Sequence, residues 1–247
     1  MKALICIGHV PDTTSKVKFT DGDTKFDTTD IQYIVGPYEE LGLTRLLDLK
    51  DAGTDMHITA VNVGPVETEA TLRKALAMGA DEAVRVNAEP TDAAFVAKQI
   101  AEVFKNGEYD VVITGKESID YNGGQTEGMI AEFIGLPSVS GASLFEVDGD
   151  KVKMEQEIDG GKQVLEASFP FVVSAGKGFA PEPRIPNMRG IMMARRKALA
   201  VVEPVDQNNM TEVTKHYLPE AKPECKMVSP DNVEELVRLL HEEAKAI

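Results

Sequence analysis

The chain has 247 residues, 43% of them hydrophobic, and a formal net charge of −15. This length suits one large α/β domain or one domain with an appendage, and the hydrophobic share is ordinary for a folded protein. The strongly negative charge argues against nucleic-acid binding, which requires a cationic surface. No segment approaches the roughly 20 apolar residues of a membrane-spanning helix, so we expect a protein that is not embedded in a membrane.

The two cysteines, Cys6 and Cys225, have neither the spacing of a metal site nor that of a disulfide framework. So few cysteines, without a disulfide framework, are typical of proteins in a reducing compartment and predict a cytoplasmic location. The chain starts with MKALICIGHV, whose apolar run is too short for the core of a signal peptide and therefore predicts a first strand.

Strands and helices alternate as far as Pro137. The predicted elements are a strand at 3–7, a hairpin at 17–26, a helix at 36–52, a strand at 57–63, a helix at 67–78, a strand at 83–86, a helix at 92–104, a strand at 111–114 and a helix at 125–134. Alternation of this kind is typical of βαβ units. We therefore predict an α/β fold with a Rossmann-like, mostly parallel sheet and flanking helices.

Beyond Pro137 the pattern changes to short runs separated by Asp-Gly turns. These runs predict a β-meander with strands at 144–147, 152–158, 164–167 and 171–174. A loop with three prolines follows at 176–187.

The end of the chain differs in composition, because residues 204–228 are polar and lack helical or strand periodicity. A final helix is predicted, with Ser229 as its cap and Pro230 at its first position. Its apolar stripe must pack on its own domain or on a partner. The predicted division is an α/β nucleotide-binding domain at 1–203 and a C-terminal extension at 204–247.

The most informative segment is 111–128, VVITGKESIDYNGGQTEG, in which a β-branched strand leads into a polar loop and then a helix. Backbone N–H groups and the positive end of a helix dipole converge at such a junction and bind anions. A purely structural turn of this type is about 2–6 residues long, and this connection is longer. It is not a P-loop, because Asp110 stands where the first glycine belongs. No catalytic set stands out, so we predict a nucleotide-binding site without catalysis.

A local basic segment interrupts this acidic chain. Between positions 184 and 202 there are five cations and no acidic residue, namely Arg184, Arg189, Arg195, Arg196 and Lys197. A basic segment in an acidic chain requires a separate explanation, and its simplest interpretation is a solvated loop.

Several ordered motifs resemble the β subunit of electron transfer flavoproteins over residues 3–203. The matching residues are Gly36-Pro37-Tyr38-Glu39-Glu40, the string ALAMGAD at 75–81, Gly115-Lys116-Glu117-Ser118-Ile119-Asp120, Gln125-Thr126, Asp159-Gly160-Gly161 with Gln163, Leu165, Pro170, Val172, Val173 and Ser174, and a basic loop at 183–197. Met154 and Gln156 depart from the family pattern, and Gly36 stands where the family has Asn.

The resemblance implies a heterodimer with an α subunit that carries a redox-active FAD. The nucleotide of the β subunit is a structural AMP in the ordinary type and a second FAD in the electron-bifurcating type, which uses NADH. Carried over by position, the nucleotide contacts are Cys6, Gly36, Pro37, Tyr38, Glu39, Val63, Gly115, Lys116, Glu117, Ser118, Ile119, Asp120, Tyr121, Asn122, Gly123, Gly124, Gln125 and Thr126. Gln125-Thr126 favours AMP, whereas residues 121–124 match neither type, so both nucleotides stay open. Tyr38 replaces a family Phe that lies near the flavin of the α subunit.

The same resemblance assigns the loop at 183–197 to partner recognition. By position Met188 is the apolar side chain that inserts into a partner pocket, with Arg189, Arg195 and Arg196 beside it. The implied function is to shuttle electrons from flavin dehydrogenases, such as acyl-CoA dehydrogenases, to a quinone oxidoreductase, without a catalytic site of its own. The alternative from another class is a stand-alone adenine-nucleotide module of the stress-protein type.

Overall fold

The computed structural model describes residues 1–222 and 224–247. The strands are β1 (Lys2–Cys6), β2 (His9–Pro11), β3 (Phe19–Thr20), β4 (Lys25–Phe26), β5 (Tyr33–Val35), β6 (His57–Val63), β7 (Glu82–Val86), β8 (Val111–Gly115), β9 (Ser138–Asp148), β10 (Lys151–Ile158), β11 (Gly161–Ser168), β12 (Phe171–Ala175) and β13 (Leu199–Val202). The helices are α1 (Pro37–Asp51), α2 (Glu69–Met78), α3 (Ala93–Gly107), α4 (Thr126–Ile134), α5 (Met188–Ala194) and α6 (Val233–Glu242), and a 3-10 turn at Val66–Thr68 precedes α2.

The centre of the fold is a nine-stranded sheet in the order β11-β10-β9-β12-β8-β1-β6-β7-β13. It is parallel from β9 through β13, and β10 and β11 add antiparallel strands at one edge. The predicted α/β fold with a Rossmann-like, mostly parallel sheet is therefore confirmed.

Helices cover both faces of the sheet. Alternate residues of β1 belong to different cores, because Ile5 packs with Leu43 of α1 and Leu72 of α2, whereas Leu4 packs with Ile100 of α3. The helix α4 joins the second face. Parallel strands that are buried on both faces have continuous apolar sequences, which explains the sequence ALIC in β1.

The predicted four-stranded meander was wrong in its last strand. Only β9, β10 and β11 form an antiparallel meander, and β12 instead lies between β9 and β8, parallel to both. All five residues of β12 are buried. An unbroken buried run of this kind fits a central strand, whereas a strand at a solvated edge alternates.

The remaining differences lie where the sequence signal is short. The structure pairs β2 with β5 and adds β13 at the edge beside β7, and neither feature was predicted. The last helix begins at Val233 with Asn232 as its cap, so the predicted start at Ser229 and Pro230 was wrong. The Asn232 side chain accepts a hydrogen bond from the Glu235 N–H, at 3.2 Å, and this cap starts the helix.

After β13 the chain runs along the surface and is held at a few points. The Gln99 amide exchanges hydrogen bonds with both backbone groups of Val205, at 2.9 and 2.8 Å. Further on, the His216 ring stacks on Phe19 with 4.8 Å between centroids. No residue of α6 is buried by the described part of the chain. Within that same part, no helix has the length and apolarity to cross a membrane.

Candidate functional site

The carboxyl ends of three neighbouring parallel strands form one edge of the sheet, which we call the carboxyl edge. Here β1 ends at Cys6, β6 at Val63 and β8 at Gly115. The helix start at 36–39 packs against Gly115, and residues 116–126 form the loop after β8 and the first residue of α4. The structure therefore brings all the predicted nucleotide contacts to the place where open α/β sheets bind ligands.

The helices α1, α2 and α4 begin at the carboxyl edge without a side-chain cap. Neither Gly36 at the start of α1 nor Gln125 at the start of α4 provides a capping hydrogen bond, in the part of the chain that is described. By contrast, Asp92 caps α3 by accepting a hydrogen bond from the Phe95 N–H at 2.7 Å. At α1 the Tyr38 N–H is available to an anionic ligand, since Pro37 has no N–H and the Glu39 N–H hydrogen-bonds to its own carboxylate. The first N–H groups of α4 are likewise available.

The loop between β8 and α4 is shaped by its own short-range hydrogen bonds. The Lys116 N–H donates to the Ala175 carbonyl at 2.9 Å, and the Asn122 N–H donates to the Ser118 carbonyl at 2.8 Å. Asn122 has φ +51° and Gly124 φ +59°, so the loop reverses through the left-handed region. Residues 120–125 are exposed, which leaves this loop open to a ligand.

The Glu39 carboxyl occupies a recess lined by three glycines. A Cβ at Gly36 would lie 2.1 Å from Glu39 Oε2, and one at Gly8 would lie 2.9 Å from Oε1. A Cβ at Gly115 would lie 2.7 Å from the carboxyl carbon. Only glycine fits at these positions while Glu39 keeps its place.

Burial raises the pKa of two titratable groups at this recess, Glu39 and Cys6. Glu39 is 6% exposed, and its Oε2 is buried without a hydrogen-bond partner in the described residues. Loss of solvation raises the pKa of Glu39 to about 7, against a hydrogen bond from its own backbone N–H that lowers it; the nearby Asp120 and Glu40 carboxylates also raise it. Burial likewise raises the pKa of the Cys6 thiol, so this cysteine is a neutral wall of the site.

A cleft of about 450 Å³ lies beside the loop, with Tyr38, Lys116, Ser140, Ser174 and Lys177 in its walls. Lys116 Nζ lies 5.9 Å from the centroid of the Tyr38 ring, within reach of a cation–π contact. Tyr38 therefore faces an open space that a flat aromatic ligand could enter.

Sequence reasoning missed two buried polar residues at this site. Asn62 is 7% exposed near the end of β6, and its amide donates to the Ile7 carbonyl at 2.8 Å while its Oδ1 is unpaired among the described residues. Glu127, in the first turn of α4, is 4% exposed. Its Oε1 also has no hydrogen-bond partner among the described residues. A polar residue inside the apolar strand sequence HITAVNV was the available signal for Asn62.

His9 is the first residue of the short strand β2. Its ring stacks on Tyr33 with 4.1 Å between centroids, and Nδ1 lies 2.7 Å from Thr71 Oγ1. Burial lowers the pKa of His9, so the imidazole is neutral at pH 7. His9 thus joins β2, β5 and α2 next to the carboxyl edge.

The predicted recognition surface, defined as Met188, Arg189, Arg195 and Arg196, lies at the ends of the strands opposite the carboxyl edge. Gly190 of α5 packs on the carbonyl of Ala77, at the C-terminal end of α2, whereas the carboxyl edge holds the start of that helix. Met188 is 74% exposed, and the three arginines are exposed. None of these arginines is ion-paired within the described chain.

The other two cations of the basic segment hold it in place. Arg184 donates to Asp48, with Nε 3.1 Å from Oδ1, and pairs with Asp51 at 2.8 Å. Lys197 Nζ donates to the carbonyls of Leu76 and Ala80, at 3.1 and 2.5 Å. The recognition surface is therefore presented on a fixed support.

The contact of Gly190 with α2 leads to a prediction about this support. A Cβ at Gly190 would lie 2.4 Å from the Ala77 carbonyl oxygen, a backbone atom that cannot move aside cheaply. We expect Gly190→Ala to lower the free energy of unfolding by about 1–3 kcal/mol, as measured by urea denaturation. Met192→Ala, at a 69% exposed position of the same helix, should change it by less than about 0.5 kcal/mol. Equal stability of the two variants would contradict this account.

The fold and the carboxyl edge together define an α/β protein with a Rossmann-like sheet and a candidate ligand site at the ends of its parallel strands. Comparison with known proteins narrows this class. The family described as electron transfer flavoprotein domain matches residues 23–207. The electron transfer flavoprotein subunit beta of Syntrophomonas wolfei is 33% identical over 223 residues, which is 90% of this chain and 87% of that protein.

Other relatives have the same name. The subunit beta of Bacillus subtilis is 31% identical and covers 100% of both chains. The human one is 32% identical over 211 residues, 83% of this chain and 82% of that protein. The chain belongs to the family of electron transfer flavoprotein β subunits. This family membership leaves the stand-alone stress-type module without support.

Proposed function

We propose that this chain is the nucleotide-holding subunit of a heterodimeric electron transfer flavoprotein. It binds a structural AMP at the carboxyl edge, and the partner α subunit carries the redox-active FAD. The heterodimer passes electrons from flavin dehydrogenases, such as acyl-CoA dehydrogenases, to a quinone oxidoreductase. The chain performs no catalysis by itself, and we assign it to the cytoplasm on its cysteine usage.

The observation that carries the nucleotide site is the unmet hydrogen-bonding capacity at the carboxyl edge. The N–H groups at the starts of α1 and α4 have no side-chain caps, and Glu39 Oε2 and Asn62 Oδ1 have no partners, within the residues described. A buried polar atom left unpaired costs about 1–3 kcal/mol. A nucleotide fits these groups, because its phosphate accepts from the N–H groups and its adenine and ribose pair with side chains. When bound, AMP supplies no redox chemistry and serves to fill and order the site.

The C-terminal extension supports the heterodimer. Val233, Leu236 and Val237 of α6 are 62%, 44% and 50% exposed, and they lie on one face of the helix. An apolar helix face that its own chain leaves uncovered marks an interaction site. We infer that residues 204–247 form an extension whose helix packs on the α subunit.

The first prediction of this proposal concerns nucleotide content. The heterodimer purified with its α subunit should release one FAD and one AMP per dimer when it is denatured and its nucleotides are separated by chromatography. A chain that purifies without any α subunit and without nucleotide would overturn the proposal.

The second candidate is an electron-bifurcating β subunit with FAD in this site and NADH as the donor. The observation that favours it is the exposed loop at 120–125, in which Tyr121 is 71% exposed, next to the open cleft of about 450 Å³. These features leave room for a ligand larger than AMP. Two FAD and no AMP per heterodimer would select this candidate.

A further inference from the structure

The Glu39 recess combines two features that oppose each other. The uncapped start of α1 and the three glycines around it form an environment suited to an anion, and the Glu39 carboxyl already fills it. Yet the carboxyl is buried with one oxygen unpaired among the described residues. The carboxyl therefore lies in the nucleotide site with hydrogen-bonding capacity that its own chain does not use.

The groups that face this carboxyl do not neutralise it. The titratable ones are Cys6 from β1, the neighbouring Glu40 from α1 and Asp120 from the loop after β8. The Glu39 backbone N–H hydrogen-bonds the carboxylate and favours its anion, but burial outweighs it. Among the described residues that act on the Glu39 carboxyl, none is a cation. Burial and the negative charge of Asp120 therefore both disfavour the ionised form of Glu39.

A nucleotide adds further negative charge at the same edge, because its phosphate is drawn to the free N–H groups of α1 and α4. Two anions in a water-poor site repel each other unless one of them takes up a proton. We propose that nucleotide binding in this site is accompanied by the uptake of one proton on the Glu39 carboxyl. The neutral carboxyl then presents a hydroxyl donor as well as an oxygen acceptor to the ligand. This inference rests on the proposed function.

The direction of the pH dependence follows from linkage. The pKa of Glu39 is about 7 before the ligand arrives, and the phosphate raises it further. Below pH 7 the carboxyl is already protonated in both states, so affinity does not change there through this group. Above pH 7 the free protein must take up a proton in order to bind, so the dissociation constant rises by up to about tenfold per pH unit.

Calorimetric titration of AMP into the nucleotide-free heterodimer tests this directly. Measurements at pH 7.5 and 8.5, in buffers of different ionisation enthalpy, count the protons taken up. At these pH values the AMP phosphate, with a second pKa near 6, contributes little. We expect close to one proton at pH 8.5 and weaker binding than at pH 7.5. Glu39→Gln should take up none and bind equally at both pH values, whereas Glu166→Gln, at an exposed position on β11, should behave as the wild type does.

A second measurement uses the nucleotide-bound complex as purified. At pH 8 its infrared spectrum should contain the carbonyl stretch of a protonated carboxylic acid, and Glu39→Gln should remove that band. Thermal unfolding checks that the variant folds, and we expect it to exceed the wild type in melting temperature above pH 7.

The outcomes separate this inference from the proposed function. Binding of AMP or FAD without proton uptake, or a wild-type complex without the carboxylic acid band, overturns the role of Glu39 alone. If neither AMP nor FAD binds, the nucleotide site itself is wrong.

Discussion

Replacing Gly36 by alanine is expected to empty the nucleotide site while leaving the fold intact. Gly36 has φ −57°, so alanine suits the backbone, but its Cβ would lie 2.1 Å from Glu39 Oε2. The Gly8 and Gly115 sides of the recess offer no room for the carboxyl to shift. The Glu39 side chain must then turn out into the space of the ligand, and we expect nucleotide affinity to fall by more than about tenfold, since even one buried clash costs about 1–3 kcal/mol.

Nucleotide extraction from the purified heterodimer measures this effect. The double variant Gly36→Ala/Glu39→Ala should regain nucleotide, because the side chain that was displaced is gone. Gly161→Ala serves as the matched control, since a Cβ there meets nothing within 4 Å and its φ is not left-handed. Full nucleotide content in Gly36→Ala, or none in the double variant, would show that the recess does not control the site.

Met188→Ala is expected to slow electron transfer from the dehydrogenase by more than about tenfold, at unchanged nucleotide content. Met188 is 74% exposed on a helix that Arg184 and Lys197 hold in place. Docking therefore costs little backbone conformational entropy. An apolar side chain that enters a partner pocket commonly contributes about 2 kcal/mol or more to binding. An unbranched methionine adapts to pockets of different shape.

Stopped-flow reduction of the heterodimer by a reduced flavin dehydrogenase, at protein concentrations below saturation, measures this loss. Val164→Ala, at a 60% exposed position on β11 and outside the recognition surface, is the control and should keep the wild-type rate. Nucleotide content should not change in either variant, because the recognition surface and the carboxyl edge lie at opposite ends of the strands. Equal rates for Met188→Ala and the control would exclude Met188 as the anchor.

Much of the fold could be predicted from local pattern. The helix α1 was predicted at 36–52 from Gly36-Pro37 and Gly53, and the structure has it at Pro37–Asp51. Strands β6 and β8 agree with prediction to within a residue, because β-branched apolar runs between polar turns have few alternative structures. The sheet strands β1, β6, β7 and β8 alternate with helices, so their parallel orientation follows from βαβ connections.

Pairing between distant segments could not be predicted in the same way. The strand β12 follows β11 in sequence but inserts between β9 and β8, and local alternation does not encode which strands become neighbours. The short strands β2, β5 and β13 have three or four residues each, too few for a periodic signal. Their pairing is decided by the surfaces that the larger elements leave available.

The sequence alone determined the class of fold, the loop at 116–126, the basic segment at 184–202 and the family, since each depends on residues that are close together in the chain. Only the tertiary structure decided that Gly8, Gly36 and Gly115 enclose the Glu39 carboxyl, and that Asn62 lies at the same edge with an unpaired oxygen among the described residues. It also decided that Arg184 and Lys197 support the basic segment while Arg189, Arg195 and Arg196 stay exposed. The physical reason is that burial, and with it the protonation of a carboxyl, is a property of segments far apart in sequence that meet only when the sheet is assembled.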